Sequence, residues 1–211
     1  MITVKKFVFN PYQVNTYVLF DETGKCVIID PGCYFDKEHY VIESFISAHM
    51  LIPEKILITH GHFDHILGNT YISNKFGVEI FINKNDLEIY KQSCQYAKLY
   101  GLSIENPIIP SGYISHNEII DFGNSELISL HCPGHSPGSI VFYCVKQKFI
   151  VAGDVLFAGS VGRTDLVGGD MDTLIESIKE KLLILEDDTV VYCGHGEQTT
   201  IGNERRHNPF L

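Results

Sequence analysis

His60, His62, Asp64 and His65 fall within six residues, directly behind the apolar run KILIT (55 to 59). Imidazole nitrogens and carboxylate oxygens are ligands of Zn²⁺, Fe and Mn, so this crowding points to metal chemistry. His60 and His62 stand two apart in an extended or loop segment, and their side chains can point the same way. Asp64 and His65 open the next helix and face another direction. Two ligand pairs therefore address two metal positions. A lone histidine at a strand end is more often hydrogen-bonded than ligating, but here the pattern recurs. LISLHCPGH (127 to 135) carries His135 just past its strand, FIVAGD (149 to 154) ends at Asp154, and TVVYCGH (189 to 195) delivers His195. Four strands that each end in a potential ligand imply convergence along one sheet edge. Asp154 is the candidate to bridge two ions roughly 3.5–4 Å apart, the spacing that binuclear hydrolases use.

The elements needed to hold these residues are legible as short alternating runs. ITVKKFVF, VNTYVLFD and CVIID read as meandering strands separated by the turn signals NPYQ and ETGK. From Asp36, the expected N-cap, the spacing of Tyr40 or Val41, Phe45 and Ala48 or His49 predicts a helix that Pro53 stops. KILIT is the next strand, HILGNTYISNKFG (65 to 77) a helix with Gly77 as its C′ residue, VEIFIN (78 to 83) a strand. Asn85 or Asp86 then caps a helix reaching about Tyr100. Residues 101 to 117, rich in Gly, Pro, Ser and Asn, read as surface loop. Apolar runs follow at 118 to 122, 127 to 132, 140 to 145 and 149 to 153. GGDMDT (168 to 173) is a loop ending in an N-cap. A helix from about Asp172 to Leu185, with Leu174, Ile178, Leu182 and Leu185 on one face, precedes the last strand, TVVYC.

Composition excludes several classes of function. With 211 residues, 45% hydrophobic and 20% charged, the expectation is a single domain over 1–211 with one sizeable core. Charge is 16 − 26 = −10 with histidines neutral, and no Lys/Arg stripe marks a nucleic-acid face. No run of about 18 apolar residues could span a membrane, and the start MITVKKFVFNPY lacks the h-region of a secretory signal. A soluble, cytoplasmic protein is expected. Six cysteines without a CxxC pair read as reduced, buried thiols.

The longer motifs carry a family resemblance. THGHFDH (59 to 65) is similar to the THxHxDH signature of the metallo-β-lactamase superfamily. CPGHSPGS (132 to 139), GDVLFAGSVGRTD (153 to 165) and GHG (194 to 196) resemble its later motifs in the glyoxalase II-like, or hydroxyacylglutathione hydrolase-like, branch. The likeness runs from IIDPG (28 to 32) to NPF (208 to 210). It implies an α/β fold of the αββα kind, two mixed sheets face to face with helices outside and the metals at one edge. It also implies that His60, His62 and His135 hold a first divalent metal, that Asp64, His65 and His195 hold a second, and that Asp154 bridges them. Zinc is the first expectation, with iron or manganese as alternatives. Each ligating histidine needs an outer acceptor for its second ring N–H; Asp30 is a candidate, and could equally cap the Pro31-Gly32 turn.

The expected reaction is hydrolysis of a thioester or related acyl bond. Two cations lower the pKa of a bridging water towards about 7, supply hydroxide at neutral pH and polarise the acyl carbonyl. Asp64 and Asp154 are the expected catalytic carboxylates, Asp64 both as ligand and as the group that orients the nucleophile. The expected partner is a small molecule, first a glutathione thioester and then another small thioester. Full glyoxalase II enzymes bind glutathione through an additional helical C-terminal domain, whereas this chain runs sixteen residues past His195, as in short-form relatives with the same GRTD stretch. Arg163 either pairs with Asp165 to hold its loop, the commoner use, or touches an anionic substrate. His131 is expected either to support the site from behind a ligand or to be structural; His39, His49, His116 and His207 lack ligand spacing, and Cys132 and Cys193 are not needed as ligands.

Rival readings share parts of this pattern. A persulfide dioxygenase uses the same sandwich and a similar HxHxDH run with one iron and O₂. True β-lactamases usually place Cys, or lack a bridging carboxylate, where Asp154 stands. Flavodiiron electron carriers replace the second His of the motif with Glu, and this chain has His62. A metal-stabilised binding module without catalysis would need the open coordination position plugged by protein.

Overall fold

The β-rich N-terminal third pairs in sequence order. β1 (Thr3–Phe9) and β2 (Val14–Phe20) are antiparallel, from Thr3 opposite Phe20 to Phe9 opposite Val14. β3 (Lys25–Ile29) returns antiparallel to β2; β4 (Ile52–Leu57), β5 (Glu79–Ile82) and the short β6 (Gly112–Tyr113) then add in parallel, in the order β1-β2-β3-β4-β5-β6. A second sheet follows from β7 (Ile119–Phe122), β8 (Ser125–His131), β9 (Ile140–Cys144) and β10 (Phe149–Gly153). β11 (Leu156–Phe157) and β12 (Ser160–Val161) form a separate small hairpin, and β13 (Val190–Cys193) and β14 (Thr199–Thr200) complete the second sheet, ordered β14-β13-β10-β9-β8-β7. This computed structural model describes residues 1–104 and 107–211; Glu105 and Asn106, within the expected 101–117 loop, lie outside the described residues.

Strand periodicity explains the layering. In β2 and β3, Val18, Cys26 and Ile28 pack against the helices, while Tyr17, Leu19, Val27 and Ile29 face the other sheet. In β10 and β13, Phe149, Val151 and Tyr192 point between the sheets, and Ile150, Ala152 and Val191 point outward under helices. Successive side chains take opposite faces and both faces are covered, so these strands read as continuous apolar runs. Helices α1 (Asp36–Ala48), α2 (Phe63–Ile66), α3 (Asn69–Phe76) and α4 (Leu87–Leu99) accompany the first sheet, and α5 (Met171–Ser177) and α6 (Ile201–His207) the second. The result is the expected αββα sandwich. Among the described residues, no helix is long and apolar enough to cross a membrane.

Several boundaries differ from the sequence reading. Phe35, not Asp36, occupies the cap position of α1, and Glu38 closes the turn by accepting from Tyr34 N at 2.8 Å and Phe35 N at 3.2 Å. β4 starts at Ile52 and takes in Pro53, tolerated because the register with β3 slips there. The expected helix over 65–77 is two helices, broken at Gly68, whose N–H donates to Pro31 O at 2.7 Å; a Cβ at Gly68 would run into Cys33. Gly77 does end α3, at φ 65°. Asn83, accepting from Asn85 N at 3.0 Å, caps a single 3₁₀ turn (Lys84–Asp86) ahead of α4. The 172–185 helix begins at Met171, capped by Asp170, and widens into a π turn over Ile178–Leu182. α6 was not expected.

Candidate metal centre

β4 belongs to the first sheet, whereas β8, β10 and β13 belong to the second. The four ligand-bearing strands therefore end at one edge of the sandwich and not along the edge of one sheet, which corrects the sequence reading. The two sheets are stitched together here: Ile140 N donates to Thr59 O at 2.8 Å, and Asn15 N donates to Gly194 O at 2.7 Å.

All seven expected residues are brought together. Ligand atoms of His60, His62 and His135 lie within 4.8 Å of one another, and so do those of Asp64, His65 and His195. Asp154 stands between the two sets. Its Oδ2 is 3.8 Å from His135 Nε2 and 3.5 Å from His195 Nε2, and its Oδ1 is 3.3 Å from His65 Nε2. Asp64 Oδ2 is 3.4 Å from His195 Nε2. Gly194 makes room for this carboxylate, because a Cβ there would collide with Asp154 Oδ1.

The rings are aimed by acceptors behind them. Asp30 Oδ2 takes His65 Nδ1–H at 2.9 Å, the Arg163 carbonyl takes His135 Nδ1–H at 2.7 Å, and the Tyr12 carbonyl takes His195 Nδ1–H at 3.0 Å. The Thr59 hydroxyl donates to Asp30 Oδ2 at 2.5 Å, which leaves Thr59 Oγ1 to accept from His60 Nδ1–H at 3.1 Å. In each case Nδ1 is engaged behind the ring and Nε2 is the nitrogen that faces the centre. Asp30 thus orients a ring, the outer role weighed for it; it also accepts from Thr59 N at 2.7 Å.

A further carboxylate escaped the sequence reading. Asp86, expected as a helix cap, is fully buried and clasps two loops: Oδ2 accepts from Gly61 N at 2.8 Å and from the Ser136 hydroxyl at 2.7 Å, and Oδ1 accepts from Gly138 N at 2.5 Å. Gly61 lies between His60 and His62, and Ser136 follows His135, so Asp86 sets the spacing of the first set. Its buried position raises its pKa against the pull of those donors. Only the long-range pairing of two glycine-bearing motifs could have signalled it.

Polar bookkeeping shows that the residues fit metal ions. His60 Nε2, His135 Nε2 and Asp154 Oδ1 are buried and make no hydrogen bond, a costly arrangement for protein alone and the one a cation satisfies. Burial, reinforced by neighbouring histidines, holds His60 well below its ordinary pKa, and burial and His135 bring His62 down to about 4, so their lone pairs are available. Burial opposes charge on Asp64 and Asp154 too, yet His65 and His195 hold both carboxyls below the usual range. The reciprocal effect of those carboxylates lifts His65 and His195 above theirs despite burial. Protons on these two rings compete with a cation for the same negative charge.

The remaining candidates are peripheral. Arg163 is bound to Asp165 through two contacts of 2.6 Å, as the commoner reading held, though it also lines the cavity in front of the ligands. His131 donates from Nε2 to Pro137 O at 2.8 Å and braces the 132–139 loop. Burial pushes the thiols of Cys132 and Cys193 up to about 12, the property of packing groups and not of thiolate ligands. The cavity, about 560 Å³, is also lined by Tyr12, Phe63, Tyr100 and Phe157, none of which the sequence reading singled out.

This sandwich, with two His/Asp sets at its edge, defines a metal-dependent hydrolase class, and the match of residues 9–195 to the metallo-beta-lactamase superfamily shows that the chain belongs to that family. Its relatives point further. Hydroxyacylglutathione hydrolase GloC of Haemophilus influenzae is 38% identical over 202 residues, 95% of this chain and 93% of its own. The B3 metallo-beta-lactamase BLEG-1 superposes with TM-score 0.89 at 35% identity over 99% of each chain. The protein TTHA1623, solved in a di-iron-bound form, superposes with TM-score 0.88 at 37% identity over 98% of this chain and 100% of its own.

Proposed function

We propose that the chain is a binuclear metal-dependent thioester hydrolase, glyoxalase II-like (of the hydroxyacylglutathione hydrolase type) in its reaction, acting on a glutathione thioester or another small thioester. The observation that carries this reading is the reach of Asp154 to both ligand sets. His60, His62 and His135 would hold one ion, Asp64, His65 and His195 the other, and Asp154 would be shared. Zinc suits this donor set, as do iron and manganese; the GloC relative supports the thioester, and the di-iron relative supports two ions. Bound there, the two ions would supply an acidified water and a Lewis acid for the acyl carbonyl. Asp64, held as a carboxylate, orients the attacking water through its oxygens; Asp30, Tyr12 and Arg163 keep the rings from turning away. Water adds to the acyl carbon and the C–S bond breaks, giving a carboxylate and a thiol. The buried thiols Cys26, Cys33, Cys132, Cys144 and Cys193 suit a reducing cytoplasm, where we place the activity.

Elemental analysis of protein purified without added metal or chelator, paired with thioester turnover, tests the proposal. Close to two ions per chain and turnover that Asp154→Ala abolishes together with one or both ions are the expected results. Full activity in Asp154→Ala overturns it. A single iron that stays single when metal is supplied, with O₂ consumed on a persulfide, would replace it by a dioxygenase; faster turnover of a β-lactam than of any thioester would replace it by a lactamase.

A further inference from the structure

The cavity in front of the metal ligands has walls that favour one part of a thioester over the other. Three aromatic rings form a continuous surface on it: Tyr12 meets Phe63 edge-on at 5.2 Å and Tyr100 at 6.2 Å, while Phe63 and Tyr100 stack at 5.4 Å. Phe63 is the residue between His62 and Asp64, so this surface starts beside the reacting centre. Tyr12 holds His195 through its carbonyl and gives its ring to the same wall. Tyr100 is 55% exposed, which leaves apolar ring surface open at the lip. Cationic side chains are scarce by comparison. Among the described lining residues Arg163 is the one Lys or Arg, and both its Nε–H and an Nη2–H are committed to Asp165 at 2.6 Å. A carboxylate on the substrate would have to break that pair or compete with Asp165 for it.

Resting on the hydrolase reading, we infer that this cavity selects thioesters by an apolar, ring-sized acyl group laid against Tyr12, Phe63 and Tyr100, and that charges on the thiol contribute nothing to recognition. The substrate class is then an aromatic or branched acyl thioester. The acyl group sits against the wall, the carbonyl lies over the ligand sets, and the thiol part leaves toward solvent. Hydrolysis takes up one water; the acyl carbon keeps its oxygen as a carboxylate, and the departing sulfur takes a proton.

Four thioesters test this on the zinc-loaded full chain: benzoyl and lactoyl groups, each on glutathione and on the neutral thiol N-acetylcysteamine. Benzoyl is expected to exceed lactoyl in kcat/KM by about tenfold on either thiol, the order of one ring packed against others. Exchange of glutathione for the neutral thiol is expected to change kcat/KM by less than about threefold, since among the described lining residues no Lys or Arg outside the Arg163–Asp165 pair stands ready for its carboxylates. Tyr100→Ala should remove the benzoyl advantage through KM. Lactoyl equal to or better than benzoyl, or a tenfold loss on leaving glutathione, overturns the inference. Calorimetry with S-benzyl-N-acetylcysteamine, a thioether that cannot be hydrolysed, separates the two readings. If no thioester turns over but this analogue binds about tenfold more tightly to the parent than to Tyr100→Ala, the hydrolase reading fails and the aromatic wall stands. Equal binding to both proteins overturns the wall itself.

Discussion

Replacing Asp86 by alanine tests how the first ligand set is held. The substitution strips the acceptors from Gly61 N, Gly138 N and the Ser136 hydroxyl. Ser136 has an alternative partner in Ser139 Oγ at 2.7 Å, so two backbone donors are left unsatisfied in a buried place. Each such donor costs about 1–3 kcal/mol, and relief from burying the carboxylate offsets part of the sum, leaving about 3 kcal/mol. In a chain of this length that is a fall in Tm of about 6–12 °C. The loop carrying His60 and His62 and the loop carrying His135 also lose their common anchor, so the first metal is expected to weaken more than the second. Thermal unfolding of the metal-free protein gives the first quantity, and chelator competition with one and then two equivalents of metal gives the second. Asp86→Asn, which can keep the Oδ2 contacts but turns an N–H₂ towards Gly138 N, should fall between parent and alanine variant. A Tm within 2 °C of the parent together with unchanged affinity for both ions would refute the reasoning.

Three other perturbations have expected outcomes. Asp30→Asn removes the charge behind His65 Nδ1 and should weaken the second metal by about 10–100-fold, read by the same competition; an unchanged affinity would mean that a neutral acceptor held by Thr59 N positions the ring as well as the carboxylate does. Gly194→Ala should displace the Asp154 carboxylate and lower the metal content, whereas Gly77→Ala at the exposed end of α3 should not. Asp21, though buried, has its pKa brought down to about 2 by the Thr23 and Ser125 hydroxyls and by Thr23 N and Asn124 N, which tie the β2–β3 turn to the β7–β8 turn. A depressed carboxyl adds stability above its unfolded pKa and loses it as pH falls, so about 2 kcal/mol should disappear between roughly pH 4 and pH 2. Asp21→Asn should flatten that stretch of the urea-stability profile, and an identical slope in both proteins would remove Asp21 from the account.

What the sequence disclosed and what it hid have separate physical causes. The residues that the structure gathers into the two His/Asp sets were legible because HxHxDH, PGH, GD and GHG each follow an apolar strand, and a strand end fixes where the next residue stands. The partition of those strands between two sheets was not, since a strand's own residues do not name its neighbours; His60 and His135 approach across a sheet-to-sheet contact at Thr59 and Ile140. Local helix signals failed where tertiary contacts took over. HILGNTYISNKF has good spacing for one helix, but Gly68 must sit against Pro31 and Cys33. Asp86 does stand at the N-cap position of α4, as its place before an apolar period signalled, but its side chain makes no cap hydrogen bond and reaches the two glycine loops instead, while Asn83 caps the 3₁₀ turn ahead of it. The aromatic wall was silent because Tyr12, Phe63 and Tyr100 are far apart in sequence and share no period.

The carbonyl of Tyr12 that steadies His195 joins positions 183 residues apart. During synthesis the chain offers its three first-set histidines once residue 135 has been made, while the second set waits for residue 195. At about 5–20 residues per second those 60 residues occupy roughly 3–12 s. On the two-ion proposal, a chain at that stage would carry the complete first set and a second set still lacking His195. On the same proposal the first ion would meet three imidazoles, and the ion that completes the pair would meet a set that includes the Asp64 carboxylate.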